Sequence, residues 1–189
     1  LYPNAVRVSV YSPAADAVDD VWSELCAARC QRLWWLDVEG VRVDARFDAV
    51  VKQHWQRFRT LEFWNCTFDD AGIAAVAYCD DLVELSIVYA KTKLTDAQVM
   101  TLVSKLRKLD RLELQNSLAD DVSVAMFKAM GSLPRLEHLA VGAGKPTVLP
   151  IANGLARGVR AATDKRADAA KGRPRTPRPR DGFKTRFSQ

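Results

Sequence analysis

Phe58-Arg-Thr-Leu-Glu-Phe-Trp-Asn-Cys66 is the stretch from which the rest of the chain can be read. Apolar side chains stand at Phe58, Leu61 and Phe63, and a small thiol closes the unit at Cys66. Leu82, Leu85, Ile87 and Ala90 repeat the spacing, as do Leu109, Leu112, Leu114 and Ser117. Leu33, Leu36, Val38 and Val41 come before, and Leu136, Leu139, Val141 and Gly144 come after. The starts at 33, 58, 82, 109 and 136 lie 25, 24, 27 and 27 residues apart, and a weaker copy, Ala5, Val8 and Val10, begins 28 residues before Leu33. Self-similarity at such a period predicts stacked units, each covering the apolar face that its neighbour cannot bury alone.

Between the copies the apolar period changes from two to that of a helix. Val6, Val8 and Val10 predict an edge strand closed by Pro13, and Ala14 to Arg29 a helix carrying Val18, Val21, Trp22, Leu25 and Cys26. Asp44 to about Gln56 reads as a helix burying Phe47, Val50, Val51 and Trp55. Asp69-Asp70 opens a short apolar helix to Tyr78. Thr95 and Gln98 form a capping box before Val99, Leu102, Val103 and Leu106. Ala119-Asp120-Asp121 opens a helix through Val122, Val124, Met126 and Met130, its acids complementing the helix dipole.

The strings starting at Phe58, Leu82 and Leu109, each followed by a Thr-Asp or Asp-Asp helix start, resemble the ribonuclease-inhibitor-like, cysteine-containing subclass of leucine-rich repeats. The resemblance covers residues 30–142 and, more faintly, 1–29. It implies an α/β leucine-rich-repeat solenoid over residues 1–144, of about five to six repeats, with parallel strands on the concave face and helices outside. At Val41, Ala90, Ser117 and Gly144 the chain departs from the Asn or Cys of that pattern.

Residues 145–189 form a different region, a basic Pro/Arg-rich extension. Residues 1–144 carry 16 Lys/Arg against 20 Asp/Glu, or −4, whereas 145–189 carry 12 against 3, or +9. Ile151–Lys171 is Ala- and Arg-rich and partly helical in character, while the three prolines within Gly172–Arg180 favour an extended polyproline-like path. Arg173, Arg175, Arg178, Arg180, Lys184 and Arg186, interleaved with Phe183 and Phe187, have the chemistry of an RNA-binding arm, because guanidinium groups fork onto phosphates and aromatic rings stack on bases. The bland alternative is a solubilising tail.

Little points to catalysis. His54 and His138 stand in different repeats, and a lone helical histidine such as His54 is usually a surface or boundary residue. Cys26 and Cys30 lack the second pair of a zinc site, and Val141-Gly-Ala-Gly-Lys-Pro-Thr147 lacks phosphate-loop spacing. No catalytic residue, cofactor, metal or small-molecule substrate is expected. The four cysteines, three of them placed on helices and Cys66 in a turn, read as buried thiols of a reducing compartment. No apolar run is long enough to span a membrane.

The strand residues between the apolar positions should form three outward columns. One holds Ser9, Asp37, Glu62, Ser86, Glu113 and Ala140; the second Arg7, Trp35, Thr60, Glu84, Arg111 and His138; the third Tyr11, Glu39, Trp64, Val88, Gln115 and Gly142. Trp35, Asp37, Glu62, Trp64, Glu84, Arg111 and Glu113 are the expected protein-binding group, with tryptophans as anchors and carboxylates disfavouring phosphate. These features predict a non-enzymatic adaptor subunit of a ribonucleoprotein such as a mitochondrial ribosome or its assembly intermediate, its repeats on protein and its tail on RNA, most simply ribosomal RNA. The competing expectation is a purely protein-binding adaptor, either a mitochondrial complex assembly factor or a ubiquitin-ligase substrate receptor. The expected compartment is mitochondrial, otherwise cytoplasmic.

Overall fold

A computed structural model describes residues 5–11, 19–27, 30, 32–54, 57–142 and 184–188. The chain runs β1 (Arg7–Tyr11), α1 (Asp19–Ala27), β2 (Trp35–Glu39), β3 (Arg42–Val43), α2 (Phe47–His54), β4 (Thr60–Trp64) and β5 (Thr67–Phe68). It continues α3 (Asp70–Ala77), β6 (Glu84–Val88), α4 (Asp96–Lys105), β7 (Arg111–Gln115), α5 (Val124–Gly131), β8 (His138–Gly142) and β9 (Lys184–Ser188). The fold is mixed α/β: six parallel strands in the order β8-β7-β6-β4-β2-β1, with β9 joined antiparallel to β1. β3 and β5 form a small parallel pair of their own.

Each repeat string becomes a strand by burying alternate side chains. Leu36, Val38, Leu61, Phe63, Leu85, Ile87, Leu112 and Leu114 are at most 1% exposed. Trp22, Phe47, Val50, Ile73, Val76, Val99, Leu102, Met126 and Met130 meet them from the helices, and all belong to one apolar cluster. Trp22 and Phe47 pack with their rings tilted at 54° and 4.9 Å between centres, and Phe47 meets Phe63 edge-on at 5.9 Å. Gly72 on α3 allows the closest approach, because a Cβ there would lie 2.0 Å from the Val43 carbonyl oxygen.

The turn after each strand is built alike. Gly40, Asn65, Tyr89 and Asn116, one residue before the repeat's closing position, take positive φ of 78°, 52°, 55° and 51°. Their amides donate to the carbonyls of Trp64, Val88, Gln115 and Gly142 on the next strand, at 2.8, 3.0, 2.9 and 2.7 Å. At the closing position, Cys66 Sγ contacts the carbonyls of Val38 and Trp64 at 3.5 and 3.4 Å. Ser117 Oγ donates toward the carbonyls of Ile87 and Gln115 at 2.9 and 3.0 Å, and accepts from the Ala90 amide at 3.0 Å.

Several expectations need correction. β1 is not an edge strand, since β2 and β9 flank it. α2 begins at Phe47, because Asp44 folds into a tight turn in which its carboxylate accepts from the Arg46 amide at 2.9 Å and its carbonyl from Phe47. α5 begins at Val124, not at Asp120-Asp121: Ser123 caps it by accepting from the Met126 amide at 3.2 Å, and Asp96 holds the Ser123 amide at 3.1 Å. Val124 consequently points outward, 57% exposed. The capping box at Thr95 and Gln98 is formed as expected. Cys30 and Cys79 lie beyond the helix ends, where their carbonyls accept from Leu33 and Leu82 as the chain turns into the next strand. His54 is buried rather than a surface or boundary residue, 2% exposed against Phe58, and neither ring nitrogen has a partner among the described residues. Trp55, the phosphate-loop-like stretch beyond Gly142, and the Gly172–Arg180 segment lie outside the described residues.

Candidate protein-binding face

Strand register assembles the site. Arg7 pairs with Trp35, Trp35 with Thr60, Thr60 with Glu84, Glu84 with Arg111 and Arg111 with His138. Ser9, Asp37, Glu62, Ser86, Glu113 and Ala140 form the adjacent row across all six strands. Neighbouring parallel strands lie about 4.8 Å apart, so side chains in one row are close neighbours. Residue periodicity alone sets which face they share, since the intervening leucines are committed to the core.

The seven expected residues do not lie evenly. Glu62, Trp64, Glu84, Arg111 and Glu113 line one depression of about 260 Å³, together with Thr60, Leu85 and Ser86. Trp64 is 37% exposed at its rim. Ser86 Oγ donates to Glu113 Oε2 at 3.4 Å, Gln115 donates to Glu113 Oε1, and Arg111 approaches Glu113 at 3.9 Å. Trp35 and Asp37 stand one strand away from the depression. There the Arg7 guanidinium lies 3.5 Å from the Trp35 ring centre, and Trp34 lies 5.7 Å from the same ring. The Trp35 indole nitrogen is buried without a partner among the described residues.

The face resists negative charge. Burial pushes the Glu62 carboxyl above its usual range and neighbouring Asp37 pushes it further, against Arg7 and a hydrogen bond from Trp64. Burial likewise raises Asp37, opposed by a hydrogen bond from Ser9 and by Arg7. On β2, β4, β6 and β7, Asp37, Glu39, Glu62, Glu84 and Glu113 stand with Arg111 as the one permanent cation of their rows, while Arg7, Arg186 and Lys184 stand in register at the β1–β9 edge. Like charges opposite one another on a sheet are unfavourable. A cationic, partly apolar ligand relieves that repulsion and finds a tryptophan edge to pack on.

A larger depression, about 450 Å³, lies beyond the strand ends among Gly40, Arg42, Thr67, Phe68, Asp69, Lys91 and Thr92. It is the weaker candidate despite its size. Arg42 there is engaged by Asp44 at 3.6 Å and Asp69 at 3.7 Å, which leaves its charge largely answered. Among the described residues no group of three potential metal ligands converges, and no helix is long and apolar enough to cross a membrane. Cys66 and Cys79 are buried thiols whose pKa values burial raises to about 11 and about 12, so both stay protonated at neutral pH.

Sequence reasoning missed two contributors. Arg7 stacking on Trp35 follows from the faint first repeat, where Arg7 occupies the place that Trp35 holds in the second. Trp34, 39% exposed, is the other: strand alternation would turn it inward with Leu36 and Val38, but it precedes the first residue of β2 and escapes that alternation. Of the expected RNA-binding group, Lys184, Arg186 and Phe187 belong to β9, in register with Tyr11, Ser9 and Val8. Arg173, Arg175, Arg178, Arg180 and Phe183 lie outside the described residues. Searches of protein-family models and of curated proteins returned no match to the chain.

Proposed function

We propose that this protein is a non-catalytic adaptor of the leucine-rich-repeat type, a solenoid whose open sheet face binds a basic segment of a protein partner. The observation that carries this reading is the depression where Glu62, Glu84 and Glu113 from three successive strands meet the exposed edge of Trp64. Shared turn geometry at Gly40, Asn65, Tyr89 and Asn116 supports the repeat assignment. Carboxylates fix charge and orientation, and a rigid indole supplies buried area at low entropic cost.

A second reading is favoured by the charge of +9 in residues 145–189: the arginine-rich segment also engages RNA, making the protein an adaptor within a ribonucleoprotein. Both readings concern different regions and are compatible.

The test is co-purification of the protein partner with the tagged full chain. Trp35→Ala with Trp64→Ala should reduce recovery at least tenfold while leaving the thermal transition cooperative. Undiminished recovery refutes the face. RNA affinity should fall steeply with salt and vanish in the variant Arg173→Ala, Arg175→Ala, Arg178→Ala, Arg180→Ala, which spares β9.

A further inference from the structure

We infer that the acidic sheet face is the docking site for the arginine–proline segment of the same chain, residues 172–180. The inference rests on the proposed use of that face for basic segments, and names one.

Topology makes the first argument. β8, which ends at Gly142, is one edge of the sheet, and β9, which starts at Lys184, is the other. Residues 143–183 therefore connect opposite edges, and must pass the full width of the sheet. Six strand intervals of about 4.8 Å make that width roughly 29 Å. The connection is ample, since extended chain reaches about 3.3 Å per residue. Of the surfaces it can pass, the helix side presents mixed charge: Asp70, Asp96, Lys52 and Lys105 are among its polar residues. From β2 to β7 the open face carries five carboxylates against Arg111, with Arg7, Lys184 and Arg186 in register only at the β1–β9 edge.

Charge complementarity makes the second. Gly172-Arg-Pro-Arg-Thr-Pro-Arg-Pro-Arg180 holds four arginines and no acid. In a polyproline path the step is about 3.1 Å, which spaces Arg173 from Arg180 by roughly 22 Å. Asp37, Glu62, Glu84 and Glu113, on four adjacent strands, span three intervals or about 14 Å, which lies within that reach. Guanidinium groups bind carboxylates through two parallel hydrogen bonds and stack on exposed indoles, and Trp64 offers one. Anchoring at β9 holds the segment at an effective concentration in the millimolar range, so even a weak contact is populated. Prolines lack the amide needed to extend a sheet, which suits a segment lying across strands rather than pairing with them.

A fluorescein-labelled peptide of sequence 172–180 tests this by fluorescence anisotropy against the full chain. The variant Arg173→Ala, Arg175→Ala, Arg178→Ala, Arg180→Ala should bind the peptide at least tenfold tighter than the wild type, whose own segment competes. Adding Glu62→Gln, Glu84→Gln and Glu113→Gln, near-isosteric changes that spare the fold, should abolish that gain. Equal binding by wild type and alanine variant, lost on the Gln changes, overturns the internal docking but leaves the face as a binder of basic segments. Binding to neither, or binding indifferent to the Gln changes, overturns both.

Discussion

His54 illustrates how one side chain sets a pH dependence. It lies at the C-terminal end of α2, against Phe58, and burial followed by the charge of Arg57 holds its imidazole below the ordinary value. As pH falls through about 6.5 the unfolded chain takes up a proton that the folded chain refuses. Stability is therefore level above that pH and is lost as pH falls from there through the lower, folded value. Asp37 and Glu62 act in the opposite sense, since raised carboxyls make the fold relatively more stable as they protonate in acid. Comparison with a variant isolates the histidine. His54→Leu should be about 1 kcal/mol more stable at pH 7, because it removes two buried nitrogens that have no partner among the described residues. That corresponds to a rise of about 2–4 °C in Tm. The advantage should widen between pH 7 and pH 5. Thermal melts in which the variant and wild type stay parallel across that range contradict the account.

The turn is the element that turns a sequence period into a sheet. Cys66 and Ser117 do the same work in different repeats, reaching back to a carbonyl of the preceding strand and to one of their own. Ser117 does it with three hydrogen bonds in full burial. Ser117→Ala strands the Ala90 amide and the Ile87 carbonyl, and should cost about 2 kcal/mol, or about 4–8 °C in Tm. Cys66→Ser should be far milder, because the hydroxyl keeps the pattern. Scanning calorimetry that finds Ser117→Ala neutral removes this role.

The strand positions and the three outward columns were legible in the sequence, because alternating burial leaves a strong period-two signal around Leu61, Leu85 and Leu112. Helix starts were less so. Acidic pairs such as Asp120-Asp121 look like caps wherever they occur, while the choice of Ser123 depended on Asp96 from the helix one repeat earlier. His54 was misread because a helical period places a residue on an arc, and only the packing of Phe58 decides that this arc is covered. Positive φ at Tyr89 carried no signal at all, although Gly40, Asn65 and Asn116 at equivalent positions did.

At the scale of the molecule, charge separates what shape unites. An acidic body and a basic extension belong to one chain, and β9 brings the end of the extension back to the edge of the body's sheet. The strand β1, which a sheet ending at the first repeat would expose, is paired on both sides. The five helices pack in sequence, each against the next, over the side of the sheet that holds the apolar cluster, opposite the face of the acidic row. Its use as a recognition surface is the central claim, and carboxyl footprinting addresses it most directly. The full chain carrying Arg173→Ala, Arg175→Ala, Arg178→Ala and Arg180→Ala, which frees the face of the chain's own segment, is treated with carbodiimide and glycine ethyl ester both free and in complex with its co-purified protein partner, and labelling is read by mass spectrometry at each acid. Glu62, Glu84 and Glu113 should lose labelling at least fivefold on complex formation, while exposed Asp120 and Asp121 stay unchanged. Protection of Asp120 and Asp121 with Glu62, Glu84 and Glu113 labelled as before contradicts the account.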